Sequence, residues 1–175
     1  VVAGEAIAAG VEVINDISGL QSDPDMAAMA GQSGCGVCAM HIRGIPRTMQ
    51  DQPIYDDVLE EVFAHLRERR DALIAAGIEP SRIALDPGIG FGKTTAHNLT
   101  LLAGIERFQA LECPILVGLS RKRFIGDVLG DPAADRTAGT IGAALAAARR
   151  GVQILRVHDV AAVRQALLLF DAAGG

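Results

Sequence analysis

Polar side chains follow short apolar runs along the sequence, in a pattern that could bind a small molecule. Arg156 and His158 lie two positions apart and would share one face of an extended strand, where a guanidinium and an imidazole could bind an anion. Because guanidinium is planar and always charged, Arg156 could also stack on a flat heterocycle. Comparable polar groups follow the other runs: Asn15-Asp16, His41-Ile42-Arg43, Asp86 and Ser120-Arg121-Lys122.

The apolar runs themselves predict five parallel strands. They are rich in Val, Ile and Leu without polar alternation, as is typical of strands covered on both faces, and they span residues 11–17, 36–40, 82–85, 114–118 and 152–157. The segments between them predict helices. Residues 1–10 show helical spacing, an apolar stripe over 58–74 predicts the longest helix, further helices are expected over 98–111, 136–150 and 160–172, and a short one over 123–129.

A repeating βα pattern allows an open doubly wound sheet or a closed (β/α)8 TIM barrel. Polar groups follow all five strands instead of gathering at one switch point, which favours the barrel, whose active site lies at the strands' carboxyl ends. A complete barrel needs about 250 residues. The 175 residues would therefore form one α/β domain, residues 1–175, that holds the last five βα units and is incomplete at its N-terminus.

Composition argues against several classes of partner. The 16 Lys and Arg against 21 Asp and Glu give a net charge of −5, which disfavours nucleic acid and anionic membrane surfaces as partners. No run approaches the ~18 apolar residues that a membrane span needs. Three cysteines, an odd number, do not suggest a disulfide framework. We expect a cytoplasmic protein with no nucleic-acid or membrane partner.

One segment invites a nucleotide-binding interpretation: Asp86-Pro87-Gly88-Ile89-Gly90-Phe91-Gly92-Lys93-Thr94. The spacing fails, because a Walker loop needs glycine where Pro87 stands and the dinucleotide pattern needs glycine where Lys93 stands. We expect instead that the glycines let the backbone turn sharply, so that Asp86 projects into a site with Phe91 nearby.

Five segments together resemble the dihydropteroate synthase family, over its C-terminal two-thirds. They are Val13-Ile14-Asn15-Asp16-Ile17-Ser18-Gly19, Met40-His41-Ile42-Arg43-Gly44, Leu85-Asp86-Pro87-Gly88-Ile89-Gly90-Phe91-Gly92-Lys93, Val117-Gly118-Leu119-Ser120-Arg121-Lys122 and Arg156-Val157-His158-Asp159. The resemblance implies a homodimeric pterin-binding TIM barrel of folate biosynthesis. Such an enzyme condenses (7,8-dihydropterin-6-yl)methyl diphosphate with 4-aminobenzoate, with Mg²⁺ assistance, to give 7,8-dihydropteroate and diphosphate.

The resemblance also implies roles for particular residues. A pterin edge needs a carboxylate acceptor paired with an amide, and Asp86 and Asn15 have those chemical types. The expected pterin-binding residues are Asn15, Met40, Asp86, Phe91, Gly118, Lys122 and Arg156. Arg156 and His158 are expected to bind the diphosphate, and Ser120 to contact 4-aminobenzoate. The family's magnesium ligand lies in the N-terminal part that this chain lacks, so no residue is assigned to a metal.

Structural roles compete with these functional ones. Asp86 could cap a helix, Met40 could be core, Ser120 could be a helix cap, and Arg156 could pair with Asp159. Arg121 could form an outward ion pair, and His41 and Arg43 are expected to fix loops. No acid–base residue is assigned, since the carbon–oxygen bond breaks to a carbon conjugated with the pterin ring.

Two alternatives concern the function as a whole. The chain could be a non-catalytic pterin-binding or structural fragment of the barrel, and we expect no synthase activity from these 175 residues alone. A related folate methyl-transfer barrel is disfavoured by Ser120-Arg121-Lys122 occurring together with Asp86-Pro87-Gly88.

Overall fold

The apolar runs form parallel strands in the computed structural model, which describes residues 2–175. The strands are β1 (Val13–Asp16), β2 (Gly36–Met40), β3 (Ile83–Asp86), β4 (Leu116–Gly118) and β5 (Ile154–Arg156). β1, β2 and β3 pair in sequential order, β4 pairs with β5, and a parallel bridge between Leu85 and Ile115 joins the two groups. The predicted α/β class with parallel strands is confirmed.

Helices alternate with these strands: α1 (Val2–Ala8), α2 (Met26–Ser33), α3 (Val58–Ala75), α4 (Thr95–Ala103), α5 (Arg123–Leu129), α6 (Thr137–Arg149) and α7 (Val160–Ala172). Local capping sets two starts, because Asp57 accepts from the first backbone amides of α3 and Thr94 forms a capping box with His97. Val1, where the first predicted helix starts, lies outside the described residues. None of the helices within residues 2–175 is long and apolar enough to cross a membrane.

The predicted helix over residues 98–111 is two elements. α4 ends at Ala103, and a 3₁₀ helix, Ile105–Leu111, follows Gly104. Glycine is a poor helix former, and a Cβ here would lie 2.7 Å from Leu59 Cδ2, so Gly104 also lets α3 pack closely. Most of the predicted strand ends extend one or two residues beyond the observed ones. Differences of this size are ordinary at the boundaries of secondary-structure elements.

Alternation along the strands places the hydrophobic core on one face and the predicted site residues on the other. Ile14, Val37, Leu85 and Val117 belong to the hydrophobic core, with buried helix residues such as Leu66. Strand registers pair Met40 with Asp86 and Gly118 with Arg156, and place these residues and Asn15 on the opposite face from that core. The fold therefore gathers the predicted site residues of the strands on one side of the sheet.

Candidate functional site

A cavity of about 320 Å³ lies at the carboxyl ends of β4 and β5. Its lining residues are Phe91, Gly118, Ser120, Lys122, Arg156, Val157 and His158. All but Val157 were predicted to bind pterin, diphosphate or 4-aminobenzoate. The structure therefore brings together residues that the sequence places on three different strand ends.

The other predicted residues lie beside this cavity. Asp86 ends β3, and its register partner Met40 ends β2 and is 3% exposed. Asn15 lies on β1, two strands from Asp86, with an exposed side chain. These residues share the polar face, but they are not in the cavity wall.

Asp86 is a buried carboxylate in a strongly positive environment. Its Oδ1 accepts a hydrogen bond from the Gly88 amide at 2.7 Å, and the side chain belongs to a residue only 6% exposed. Burial raises the pKa of Asp86 to about 6, while the Gly88 hydrogen bond and the charges of Lys122, Lys93 and Arg156 act in the opposite direction. The carboxylate is thus available to accept hydrogen bonds near neutral pH.

Lys122 influences Asp86 electrostatically and lies against the aromatic wall of the cavity. Its Nζ lies 4.1 Å from the centroid of the Phe91 ring, within cation–π distance. Burial lowers the pKa of Lys122, whereas the nearby Asp86 charge raises it. Lys122 also lines a second cavity of about 460 Å³, for which the sequence predicts no role.

The glycine-rich segment forms a tight loop, residues 88–92, that requires glycine at two positions. Gly88 and Gly92 have φ of 69° and 62°, in the left-handed region. A Cβ at Gly88 would overlap the His41 carbonyl oxygen, and one at Gly92 would overlap that of Arg43. The glycines therefore allow the backbone after β3 to lie directly against the backbone after β2.

Lys93 is the residue that sequence reasoning missed. It is 3% exposed, and its Nζ lies 2.9 Å from His41 Nδ1 and 3.0 Å from the carbonyl oxygens of Gly88 and Phe91. Burial lowers the pKa of Lys93 to about 7, and burial also lowers the pKa of His41 to about 2. A lysine directly after a glycine-rich turn was the available signal, but its burial depends on tertiary contacts.

Ser120 and His158 form a pair at the cavity wall. Ser120 Oγ accepts from the His158 backbone amide at 3.2 Å and lies 2.9 Å from His158 Nδ1. When the imidazole carries its proton on Nδ1, it donates to Oγ, and the hydroxyl proton is free for a ligand. Ser120 does not cap α5, whose N-cap residue is Lys122.

Two alternatives for charged residues are decided by the observed contacts. Arg121 forms an ion pair with Asp159, Nη2 to Oδ1 at 2.9 Å, so the suggested outward pair of Arg121 is found. Asp159 is therefore engaged by Arg121, and the suggested pairing with Arg156 was wrong.

His41 and Arg43, which follow β2, fix loops, as predicted. The Arg43 guanidinium bonds the Ile54 carbonyl oxygen and the Glu61 carboxylate, and its Cζ lies 3.8 Å from the centre of the Tyr55 ring. His41 is 4% exposed and contacts Lys93. The Tyr55 hydroxyl in turn donates to the Gly92 carbonyl oxygen at 2.8 Å, so the segment between β2 and α3 is held against the glycine loop.

Comparison with known proteins gives matches along nearly the whole chain. A dihydropteroate synthase from Neisseria meningitidis serogroup C is 45% identical over 167 residues, which cover 94% of this chain and 59% of that protein. The Escherichia coli dihydropteroate synthase is 41% identical over 168 residues, with 96% and 59% covered. This chain thus spans about three fifths of the length of these relatives.

Solved structures agree. Dihydropteroate synthase from Stenotrophomonas maltophilia, with imidazole bound in its active site, superposes with a TM-score of 0.92 at 46% identity, covering 97% of this chain and 64% of that one. The Thermus thermophilus enzyme in complex with 6HMPPP gives 0.92 at 44% identity, covering 99% and 69%. A family model described as pterin binding enzyme matches residues 1–158. Because that match takes in well over half of the sequence, the chain belongs to the pterin binding enzyme family.

Proposed function

We propose that this chain is part of a dihydropteroate synthase of folate biosynthesis. The reaction joins (7,8-dihydropterin-6-yl)methyl diphosphate to 4-aminobenzoate and releases 7,8-dihydropteroate and diphosphate. One observation carries the proposal: the cavity side chains Lys122 and Arg156 lie close enough to Asp86 to influence its ionisation, so a carboxylate and two cations converge at one place. Relatives above 40% identity that carry this name support it.

In this proposal Asp86 accepts hydrogen bonds from the amino and ring N–H groups of the pterin. A charge-assisted hydrogen bond is about twice as strong as a neutral one, so the ionised Asp86 would dominate recognition. Lys122 would donate to the pterin carbonyl, while Asn15 supplies an amide that both donates and accepts. Met40, Phe91 and Gly118 would provide the apolar surface around the ring.

Arg156 and His158 would bind the departing anion. As the carbon–oxygen bond breaks, negative charge builds up on the diphosphate, and fixed donors at that place lower the barrier. The amine of 4-aminobenzoate then attacks the carbon and loses a proton to solvent. Ser120 lies in the same cavity, and we retain it as a contact for the 4-aminobenzoate carboxylate, through its hydroxyl proton.

Magnesium belongs to the proposal, as a charge partner of the diphosphate. Within residues 2–175 no three His, Cys, Asp or Glu side chains converge on one point, so these residues do not form a complete metal site. Closure into a (β/α)8 barrel, with this chain as its last five βα units, is supported by the sequential order of the parallel strands.

Location and assembly complete the proposal. A cytoplasmic location is supported by the cysteines Cys35, Cys38 and Cys113, which are buried free thiols as in reducing compartments. A homodimer is supported by an apolar groove of about 310 Å³ formed by α4, α5 and α6, with exposed Leu99, Val128 and Leu129.

Calorimetric titration with a dihydropterin tests the pterin assignment. We expect a binding heat with the unchanged chain and with Asp71→Ala, whose carboxylate is exposed on α3 and pairs with Arg70, and none with Asp86→Ala. Equal heats for all three proteins would remove Asp86 from the site. Release of diphosphate from both substrates, measured on a longer protein that contains this chain, tests the reaction itself.

A further inference from the structure

The buried amine of Lys93 has contacts on two separate strand ends. Its Nζ reaches the Gly88 and Phe91 carbonyl oxygens, at opposite ends of the turn closed by the Phe91 amide donating to Gly88 O at 3.0 Å. The third contact is His41 Nδ1, directly after β2. Burying an amine is costly unless all its hydrogen-bonding groups are satisfied, and three partners around one nitrogen meet that requirement.

These contacts do not depend on one protonation state. An ammonium donates to both carbonyl oxygens and to His41 Nδ1. A neutral amine still donates to the two carbonyl oxygens and accepts from His41 when the imidazole carries its proton on Nδ1. Because His41 stays neutral over the usual pH range, both arrangements are available to it.

The glycine loop, residues 88–92, is what separates Asp86 from Lys93 in the sequence. Its polar groups are fixed one by one: the Gly88 amide donates to Asp86 Oδ1, and the Gly90 amide donates to Asn98 Oδ1 at 2.7 Å. Phe91 projects from the same turn and carries the cavity's aromatic surface, over which Lys122 lies. The position of the loop thus determines the orientation of both Asp86 and Phe91.

We propose that Lys93 is a positioning residue of the pterin site, whose Nζ holds the glycine loop against the end of β2 so that Asp86 and Phe91 keep their ligand-binding orientation. This inference rests on the proposed function for its ligand. Lys93 itself makes no contact with the pterin or the diphosphate in this proposal, because its three polar contacts are internal and the residue is 3% exposed.

Amide hydrogen exchange on the ligand-free chain tests the loop contact without any ligand. In Lys93→Met, exchange in residues 88–91 should accelerate about tenfold or more, because each lost hydrogen bond contributes roughly 1 kcal/mol to loop stability. Exchange in β4 should not change. Lys93→Arg should behave like Lys93→Met, since a planar fork cannot replace a point donor among three acceptors. Unchanged exchange in residues 88–91 would overturn the proposal.

Pterin affinity then separates positioning from charge. Calorimetry would compare two ligands: the uncharged 6-hydroxymethyl-7,8-dihydropterin and the diphosphate of the same compound. Positioning predicts that Lys93→Met weakens both by the same factor, about tenfold. If Lys93 acted as a cation on the anion, only the diphosphate would weaken, and the proposal would be wrong.

A matched variant removes a surface positive charge that the glycine loop does not use. Arg123→Met deletes a guanidinium that is 86% exposed on α5 and pairs with Asp127, and it should not accelerate exchange in residues 88–91 as Lys93→Met does. If Lys93→Met does not fold, Lys93→Gln replaces it in the exchange measurement, because its side-chain amide still donates a hydrogen bond. If the unchanged chain binds neither pterin, the proposed function fails, whereas the exchange data still decide whether Lys93 holds the loop.

Discussion

Buried charges of opposite sign meet where the strand ends converge. Burial raises the pKa of Asp86 and lowers those of Lys93 and Lys122, so each charge is costly alone and is offset by its neighbours. Strongly shifted pKa values in a cleft are a feature of binding and catalytic sites. A bound pterin would add hydrogen bonds to groups that the fold already holds desolvated.

If Asp86 binds the pterin as proposed, its carboxylate gives that binding a pH dependence. Because its pKa is raised to about 6, the carboxylate is ionised above that pH and protonated below it. We expect pterin affinity to fall as pH decreases from 7.5 through about 6. Asp86→Asn should bind about 10- to 100-fold more weakly at pH 7.5, because hydrogen bonds to charged groups contribute roughly 1.5–3 kcal/mol.

Calorimetric titrations between about pH 5 and 8 measure this effect, within the range where Asp86 titrates. The control is Asp86→Asn itself, which should lose the pH dependence in that range. Parallel curves for the two proteins would show that another group titrates.

His41 links folding stability to pH. Its pKa is lowered from 6.5 to about 2, first by burial and then by the charges of Lys93, His65 and Arg43. Between these pH values the unfolded chain binds a proton that the folded chain does not. The free energy of unfolding should therefore decrease as pH drops below 6.5, with a contribution of up to about 1.4 kcal/mol per pH unit.

Urea unfolding at several pH values between about 4 and 7 measures that slope. In His41→Asn the slope of unfolding free energy against pH should become less positive by up to about 1.4 kcal/mol per pH unit, which corresponds to one proton. Asp86→Asn should change it in the opposite sense, because the folded chain holds the extra proton on Asp86 between pH 3.8 and about 6. An identical slope in the unchanged chain and His41→Asn would contradict the assignment.

At the scale of elements, local patterns predict much more than contacts do. Unbroken apolar runs identify the strands, and the polar residues after them identify the end of the sheet where the cavity lies, because both patterns depend on neighbours in sequence. The helix predicted over residues 98–111 was wrong at Gly104, a poor helix former, where α4 ends and a 3₁₀ helix follows. The role of Lys93 was not predictable, since it depends on Gly88 and His41 meeting across two strands.

A side chain added at Gly88, in the glycine loop, should destabilise the fold more than one added at Gly77, outside it. Gly88→Ala places Cβ on the His41 carbonyl oxygen, whereas Gly77→Ala, after α3, meets nothing within 4 Å at a similar φ of 88°. Gly77→Ala should cost only the left-handed strain, about 1–2 kcal/mol. Gly88→Ala should cost roughly 1–3 kcal/mol more, because backbone must shift.

Urea unfolding of both glycine variants measures the difference, with the unchanged chain as reference. Equal losses of stability in Gly88→Ala and Gly77→Ala would mean that the loop relaxes away from β2 without cost. That result would also weaken the argument that this contact positions Asp86.

At the scale of the molecule, the central and outer strands differ in burial. β2 and β3 are almost fully buried, whereas β1 and β5 expose Val13 and Ile154 by 55% and 38%. The expectation of strands covered on both faces thus holds for the central strands. In the proposed complete barrel, further strands would cover these apolar side chains and the unpaired strand edges.

The apolar groove of α4, α5 and α6 gives the assembly prediction. Val128 and Leu129 are 60% and 53% exposed on α5, and Leu99 is 43% exposed on α4, which is more apolar surface than scattered residues explain. If a second copy covers this groove, Val128→Asp should shift sedimentation velocity profiles from dimer to monomer, because a desolvated, unpaired carboxylate is costly. Ile54→Asp, at a site 73% exposed but outside the groove, should leave the dimer intact. In a two-fold dimer the same surface of both copies is buried, so Val128→Asp would bury two unpaired carboxylates. Dimers that persist in Val128→Asp would therefore place the contact on another face.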